Sequence, residues 1–475
     1  MGQELETEEL VDEAVFLKRL RAETRLVMGW FHDDAFERRD PPLIGAEVEG
    51  WLLDADHRPC PRNLEFLGKA DDTRLDQELS QYNFELNLDP GPLQGDCFAG
   101  LQDRFEQLWS HCSITARSMN AHAAMIGIAP TLRTDMLDLE AMTPSNRYRA
   151  LNARVMHLRG GAPMSYCITG QEVFEDVQDH LMMEAACTSL QTHLMLDPDR
   201  HVRQFNAALI ASGPVMAVSG NSPFLNGKKL WEETRIPLFE QAINVNSFRT
   251  LSGRHVGRVG FGAGYVRESL LELFLENLDG HAPLLPVTEE ADLERLRHLK
   301  LQNGTVWRWN RPIVCADAGT PHIRLENRIT PAGPTPIDMT ANAAFLIGLT
   351  LHLADRDTAP ETELDFEDAR ANFYSAAEHG LGARITWLDG DRTLVQRLIH
   401  DTLADQAEAA LVKAGVSRFD ARRVMDIIRA RATNGMTGSA WQRAWANVRG
   451  RDFQGLTEAY VALQESGRPV HTWTV

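Results

Sequence analysis

The chain has 475 residues, 43% hydrophobic, 24% charged and 7% aromatic, the make-up of a globular protein with material for one large core or two ordinary ones. Its formal net charge of −19 argues against non-specific binding to nucleic acid or to an anionic membrane. Six cysteines, at 60, 97, 112, 167, 187 and 315, form no C-x-x-C pair, so reduced thiols are expected rather than zinc sites or a disulfide framework.

Residues 5–38 have the apolar spacing of a helix, ended near "RRDPP" by the proline pair. The opening "MGQELETEEL" is acidic, lacks a signal-peptide apolar core, and has Glu6 where a myristoylation pattern needs Ser or Thr. The apolar runs 207–218 and 341–354 are too short to span a bilayer, so a cytoplasmic protein is expected. "LIGAEVEGWLL" (43–53) then alternates like a strand, and "QYNFELNLDP" (81–90) does so again before a Pro-Gly-Pro turn. A helix is predicted over about 97–125, followed by a Gly/Pro/Ser-punctuated region to about 165. "CTSLQTHLML" (187–196) reads as a strand leading to a helix that starts near Asp199 and breaks at Gly213-Pro214. Strands are predicted at 304–316 and 321–329, and from about 336 onward helix succeeds helix. The stretch "TAPETELD" (358–365) is the expected boundary between a mixed body, 1–357, and a helical C-terminal part, 358–475.

Two glycine motifs fail inspection. "GFGAGY" (260–265) has tyrosine in place of the third glycine of a dinucleotide fingerprint, and no opening strand precedes it. "GNSPFLNGKK" (220–229) has six residues between its glycines and no Ser or Thr after the lysine, so it is not a phosphate-binding loop of the Walker type.

The strands share one property. Glu47 and Glu49 lie two apart, so their carboxylates point the same way, roughly 7 Å apart, with no basic residue in the stretch. In "NFELNLD", Glu85, Asn87 and Asp89 oppose Phe84, Leu86 and Leu88. Gln191 and His193 oppose Leu190 and Leu194, and Arg324, Glu326 and Arg328 oppose Ile323, Leu325 and Ile329. For any one strand the ordinary reading is a solvated face. Solvated faces usually mix in lysine, threonine and serine, whereas these carry acids and histidine together. Such faces, with Glu78, could ligate divalent cations, and the missing positive charge is expected to be Mg²⁺.

These residues resemble the glutamate–cysteine ligase family of the glutamine-synthetase-like carboxylate–amine ligases, bacterial branch. "IGAEVEGWLLD" is similar to its opening strand, "ELSQYNFELNLDP" to its next two acids, and "SLQTHLML" to its histidine strand. "SGNSPFLNGKKLWEETRI" (219–236) and "IRLENRITPAGPTPIDMTANAAF" (323–345) come next, in the family's order. The resemblance implies an α+β fold whose curved antiparallel sheet forms an active-site funnel, with helices packed outside and a helical C-terminal region. It implies ATP and Mg²⁺ (or Mn²⁺) as cofactors, and small-molecule substrates: glutamate and an amino-acid or amine acceptor, cysteine first. The γ-phosphoryl of ATP would pass to the carboxylate, and the amine would attack the acyl phosphate.

By the same resemblance, Glu49, Glu78 and Glu85 would hold one ion, and Glu47, His193 and Glu326 another. Arg328 would face the transferred phosphoryl, and Arg235 the substrate carboxylate or phosphate. Arg324 and Arg147 are assigned to cofactor binding, with Arg147 and Arg149 also candidates for substrate contact. The helical C-terminal part would cap the funnel or mediate homo-oligomerisation. Trp441, Trp445 and Trp473 are expected in packing, as are Cys187 and Cys315. Two rival readings stand: a ligase of the same fold with another acceptor, and a catalytically silent relative that binds nucleotide or metal.

Overall fold

The computed structural model describes residues 12–245, 248–250, 253–287, 292–316 and 319–475. The first residues of the expected 5–38 helix, and the opening decapeptide, lie outside the described residues; the helix is Glu13–His32, with the Asp12 carboxylate accepting from the Ala14 N–H.

Seven strands make the main sheet: β1 (Leu43–Leu53), β2 (Leu75–Gln77), β3 (Asn83–Pro92), β4 (His122–Ala124), β5 (Leu190–Met195), β6 (Asn310–Cys315) and β7 (His322–Asn327). Their order is β6-β7-β5-β1-β3-β2, with β4 paired to the end of β1, and every pairing is antiparallel. The apolar alternate residues, among them Phe84, Leu86, Leu190, Leu194, Ile323 and Leu325, are buried. Helices Cys97–Ser118, His201–Ser219 and Pro336–Ala354 pack with these strands. Gly50 lies against the Phe84 ring, where an added Cβ would come within 2.8 Å.

Helix Pro336–Ala354 starts with proline in its first turn, and the Thr335 hydroxyl accepts from the Asp338 N–H. It is apolar and long enough to cross a membrane by composition alone, yet nine-tenths of its apolar window is covered by protein. At its start Asp338 forms an ion pair at 2.7 Å with buried Arg431. This is the central helix of the core.

The expected break at Gly213-Pro214 does not occur: one helix runs from His201 to Ser219 through Pro214. Proline forfeits the N–H bond to the Ile210 carbonyl and costs about 3 kcal/mol in a helix interior. The helix is buried nearly all round, between Pro336–Ala354 and Phe366–His379, and packing outweighs that cost. Gly213 is the point of close approach, since an added Cβ would sit 3.2 Å from Asn372. The expected strand at 304–316 is also shorter. Its first residue ends helix Arg297–Gly304, and pairing in the main sheet begins only at Asn310. The punctuated region before 165 holds helix Asn146–Leu158, which sequence inspection missed.

The stretch expected as a boundary contains a short helix, Pro360–Glu363, and elements beyond it pack on the body. The Asp420 carboxylate accepts from the Phe98 and Ala99 N–H groups at the start of Cys97–Ser118, a negative charge at the positive end of a helix. Trp441 and Trp473 meet edge-on with ring centroids 5.3 Å apart, buried as expected together with Trp445.

Glu240 ties three elements together. It accepts from Trp309 Nε1 at 2.8 Å and from the Tyr374 hydroxyl at 2.6 Å. Burial outweighs these bonds and raises its carboxyl from 4.5 to about 7. The folded chain therefore holds Glu240 protonated over a range where the unfolded chain has released the proton. Stability is expected to fall as pH rises from about 4.5 through 7, by on the order of 2 kcal/mol after allowance for partial exposure. Urea melts across this range should show Glu240→Gln with a flatter stability profile than wild type; superimposable profiles would rule the effect out.

Candidate active site

The register sets the polar residues in rows. Arg311, Glu326 and His193 face one another across β6, β7 and β5. Glu47 lies between Gln191 and Asn87, and Glu49 is paired with Glu85, which is paired in turn with Asp76 of β2. These side chains are not on a solvated face: Glu49, Glu85, Gln191, His193, Glu326 and Arg328 are all at most 8% exposed. Burial decides between the two readings open from sequence. Buried charges must be paired with one another or with a ligand.

Glu49, Glu78 and Glu85 come together. One carboxylate oxygen of each lies within 4.8 Å of the other two, the one such group of three among the described residues. Glu49 is oriented by the Ser189 N–H at 2.7 Å, the Ser189 hydroxyl at 3.2 Å and Gln191 Nε2 at 3.1 Å. Glu85 accepts from Asn87 Nδ2 at 3.1 Å. Burial, then the negative charge of Glu47, lifts the Glu85 carboxyl to about 8. Burial and the charges of Glu85 and Glu49 drive Glu78 well above its ordinary value. Burial raises Glu49 as well, against the pull of Arg328 and the Ser189 N–H. Three oxygen ligands whose charges oppose one another fit a hard divalent cation.

The other expected set is arranged differently. His193 Nε2 is 3.2 Å from Glu47 Oε1. Burial pushes Glu47 up, but His193 outweighs it and holds the carboxyl at about 2. Glu326, expected beside them as a ligand, is occupied by arginines. Arg311 Nη2 donates to both of its oxygens, at 2.7 and 2.9 Å, and Arg328 Nη1 donates at 2.7 Å. Despite burial, these two cations hold the Glu326 carboxyl below its usual range. Arg328 Nη1 also donates to Gln191 Oε1, and the Glu326 and Glu49 charges keep its guanidinium ionised against burial.

Arg235 holds backbone. It opens helix Arg235–Ala242, 1% exposed, and its donors go to Glu233 at 3.2 Å and to the carbonyls of Arg328 and Ile329. Its guanidinium lies 5.4 Å from the Trp309 ring centre. Arg235 thus fixes the backbone that carries Arg328, with one donor from each of its three nitrogens. Arg324 lies two residues from Glu326, partly buried, its Nη1 3.7 Å from Cys315 Sγ and 3.4 Å from His322 Nε2. Arg147 and the exposed Arg149 lie in the first turn of Asn146–Leu158. The neighbouring Tyr148 hydroxyl donates to the Gln77 carbonyl at 3.1 Å, which brings this turn to the strand end leading into Glu78.

Three residues were missed. Arg311 sits in "RWNRPIVCA", where only strand pairing reveals its partner Glu326. Glu184, on the one-turn helix Met182–Ala186, has no periodic signal; burial, then the charge of Glu49, raises its carboxyl to about 8. Asn83 begins β3 and is buried. A small pocket, partly open to solvent, is lined by Glu49, Glu78, Leu79, Asn83, Glu184, Ala185, Cys187 and Thr188.

The model of glutamate–cysteine ligase family 2 matches residues 43–459. Among solved structures, the chain is similar to a glutamate–cysteine ligase from Francisella tularensis in complex with AMP, at 11% identity and a TM-score of 0.51, covering 93% of this chain and 96% of that one. It is also similar to a bifunctional glutathione synthetase from Pasteurella multocida, at 11% identity and a TM-score of 0.47, covering 89% of this chain and 52% of that one. No curated protein sequence matches. The antiparallel sheet and the glutamine-synthetase-like fold expected from sequence agree with the family match, which takes in every strand of the sheet. The chain belongs to glutamate–cysteine ligase family 2, and is an ATP-dependent carboxylate–amine ligase.

Proposed function

We propose that the chain joins the γ-carboxylate of glutamate to the amine of cysteine, through an acyl phosphate, with release of ADP. The observation that supports this reading is the buried triad Glu49, Glu78 and Glu85 beside an ionised, anchored Arg328. Phosphoryl transfer needs little else from side chains than positioning and charge neutralisation. Glu49, Glu78 and Glu85 would hold Mg²⁺ or Mn²⁺, which supplies charge neutralisation at the phosphates when bound. Arg328 would stabilise charge on the transferring phosphoryl, Gln191 and Glu326 would fix its plane, and Arg311 would keep Glu326 ionised. Glu47 and His193 lie on the same face, close enough to take part in a second cation site. The similarity to a ligase seen with AMP is consistent with a nucleotide in this funnel.

A mass-spectrometric screen of ATP and glutamate with each of twenty amino acids and common polyamines tests the proposal. γ-Glutamylcysteine is expected as the dominant product, with ADP and phosphate. A different γ-glutamyl amide would keep the chemistry and replace the acceptor. AMP and pyrophosphate, or no turnover with any pair, would overturn the proposal.

A further inference from the structure

Two helices near the end of the chain, Gly438–Arg449 and Phe453–Glu465, close on the loop 220–234 that joins helix His201–Ser219 to Arg235–Ala242. The Ser439 N–H donates to the Gly220 carbonyl at 2.8 Å, and Arg443 Nη2 donates to the Leu230 carbonyl at 2.7 Å. Asn221 is where the bonds converge. Its Oδ1 accepts from Gln442 Nε2 at 2.9 Å, and its Nδ2 donates to the Tyr460 hydroxyl at 2.8 Å and to the Ala332 carbonyl at 2.7 Å. The Tyr460 hydroxyl in turn donates to the Met125 carbonyl at 3.0 Å. From Asn221 the bonds run inward. Its N–H donates to Glu233 Oε2 at 2.8 Å, while Glu233 Oε1 accepts from the Ser222 hydroxyl at 2.7 Å and from Arg235 Nε at 3.2 Å. Arg235 then donates to the carbonyls of Arg328 and Ile329. Tyr460, Gln442, Asn221, Glu233 and Arg235 are each at most 1% exposed. In such a dry chain of bonds, removing one partner leaves its neighbour unsatisfied, and the disturbance passes along.

We infer that these two helices are a positioning element for Arg328: Gln442 and Tyr460 hold Asn221, and Asn221 holds the Glu233–Arg235 pair that fixes the Arg328 backbone. The inference rests on the phosphoryl-stabilising role proposed above for Arg328. It gives the C-terminal part a task in turnover, beyond covering the funnel or joining subunits. The tip of Arg328 is held by Glu326 and Gln191, but a donor aimed at developing charge must be held at its backbone as well. Trp473 packs edge-on against both Trp441 and Tyr460, with centroids 5.3 Å from each, so the last residues keep the two helices together. The bonds of Tyr460 and Gln442 go to Asn221 and Met125, away from the acidic triad. Their loss is therefore read in the rate of phosphoryl transfer and not in metal or nucleotide affinity.

The test is single-turnover ADP formation by the full chain, with amide hydrogen exchange followed by mass spectrometry in the same variants. Tyr460→Phe removes only the hydroxyl and keeps the ring against Trp441 and Trp473, so the fold is retained. It is expected to slow ADP formation about fivefold, the effect of one neutral hydrogen bond, with the KM for ATP and the Mg²⁺ requirement within twofold of wild type. Gln442→Leu, a second and independent variant, is expected to do the same. Neither should slow an Arg328→Ala chain further, because no guanidinium is left to misplace. In both variants exchange should quicken at residues 327–330, where the Arg328 N–H donates to the Trp309 carbonyl, and stay unchanged in helix Glu13–His32. Equal slowing with and without Arg328 would mark a general loss of packing and overturn the inference. Normal ADP formation in Tyr460→Phe and Gln442→Leu, where Arg328→Ala is slow, would overturn it and leave the role of Arg328 standing. Normal turnover in Arg328→Ala would remove both. If wild type makes no product with any substrate pair, the ligase reading fails and exchange decides: quickened exchange at 327–330 upholds the coupling, and unchanged exchange rejects it.

Discussion

Arg328→Ala is expected to lower turnover by on the order of 10²-fold or more while leaving nucleotide affinity nearly intact. The guanidinium is ionised, held by Glu326 at 2.7 Å and by Gln191, and its own carbonyl is gripped by Arg235. Such an anchored donor has little freedom to lose when charge develops near it, which is where preorganised groups act most strongly. Glu326→Gln should behave differently. It leaves Arg311 and Arg328, both buried, without their shared carboxylate, and breaking a buried pair typically costs about 3–5 kcal/mol. Its first effect should be on the thermal melt, with turnover falling because Arg328 loses its orientation. Single-turnover ADP formation alongside melting curves separates the two. Arg328→Ala within twofold of wild type, in a protein that melts normally, would place phosphoryl stabilisation elsewhere.

Removing divalent cations is expected to abolish ligation altogether, with activity restored by Mg²⁺ or Mn²⁺. Without a cation the carboxylates of Glu49, Glu78 and Glu85 crowd a buried space: burial raises all three carboxyls, and neighbouring negative charges raise Glu78 and Glu85 further. Glu85→Gln should relieve part of that repulsion and raise thermal stability of the metal-free chain, while raising the Mg²⁺ concentration needed for half-maximal turnover at least tenfold. The opposite signs make the test sharp, because a purely structural carboxylate would lower stability and leave the metal requirement alone. Full activity in EDTA would show that ligation needs no cation at the triad.

Period-2 alternation is a local property, and the sequence by itself determined which residues share a strand face. Leu43–Leu53 was readable to the residue, and the same alternation placed Glu85 with Asn87, Gln191 with His193, and Glu326 with Arg328 on one face. A helix from about 336 onward was likewise local information, and it runs from Pro336 to Ala354. Tertiary structure decided whatever depends on which strand lies beside which. Register set Arg311 against Glu326, whose carboxylate accepts from two arginines. Packing carried a helix through Pro214 and buried Arg235 under the backbone it supports. A one-turn helix with no periodicity brought Glu184 to the pocket of Glu49 and Glu78. Side-chain direction along a strand is fixed by neighbouring residues in the chain, whereas pairing, burial and the partner of each charge are fixed by residues far away along it.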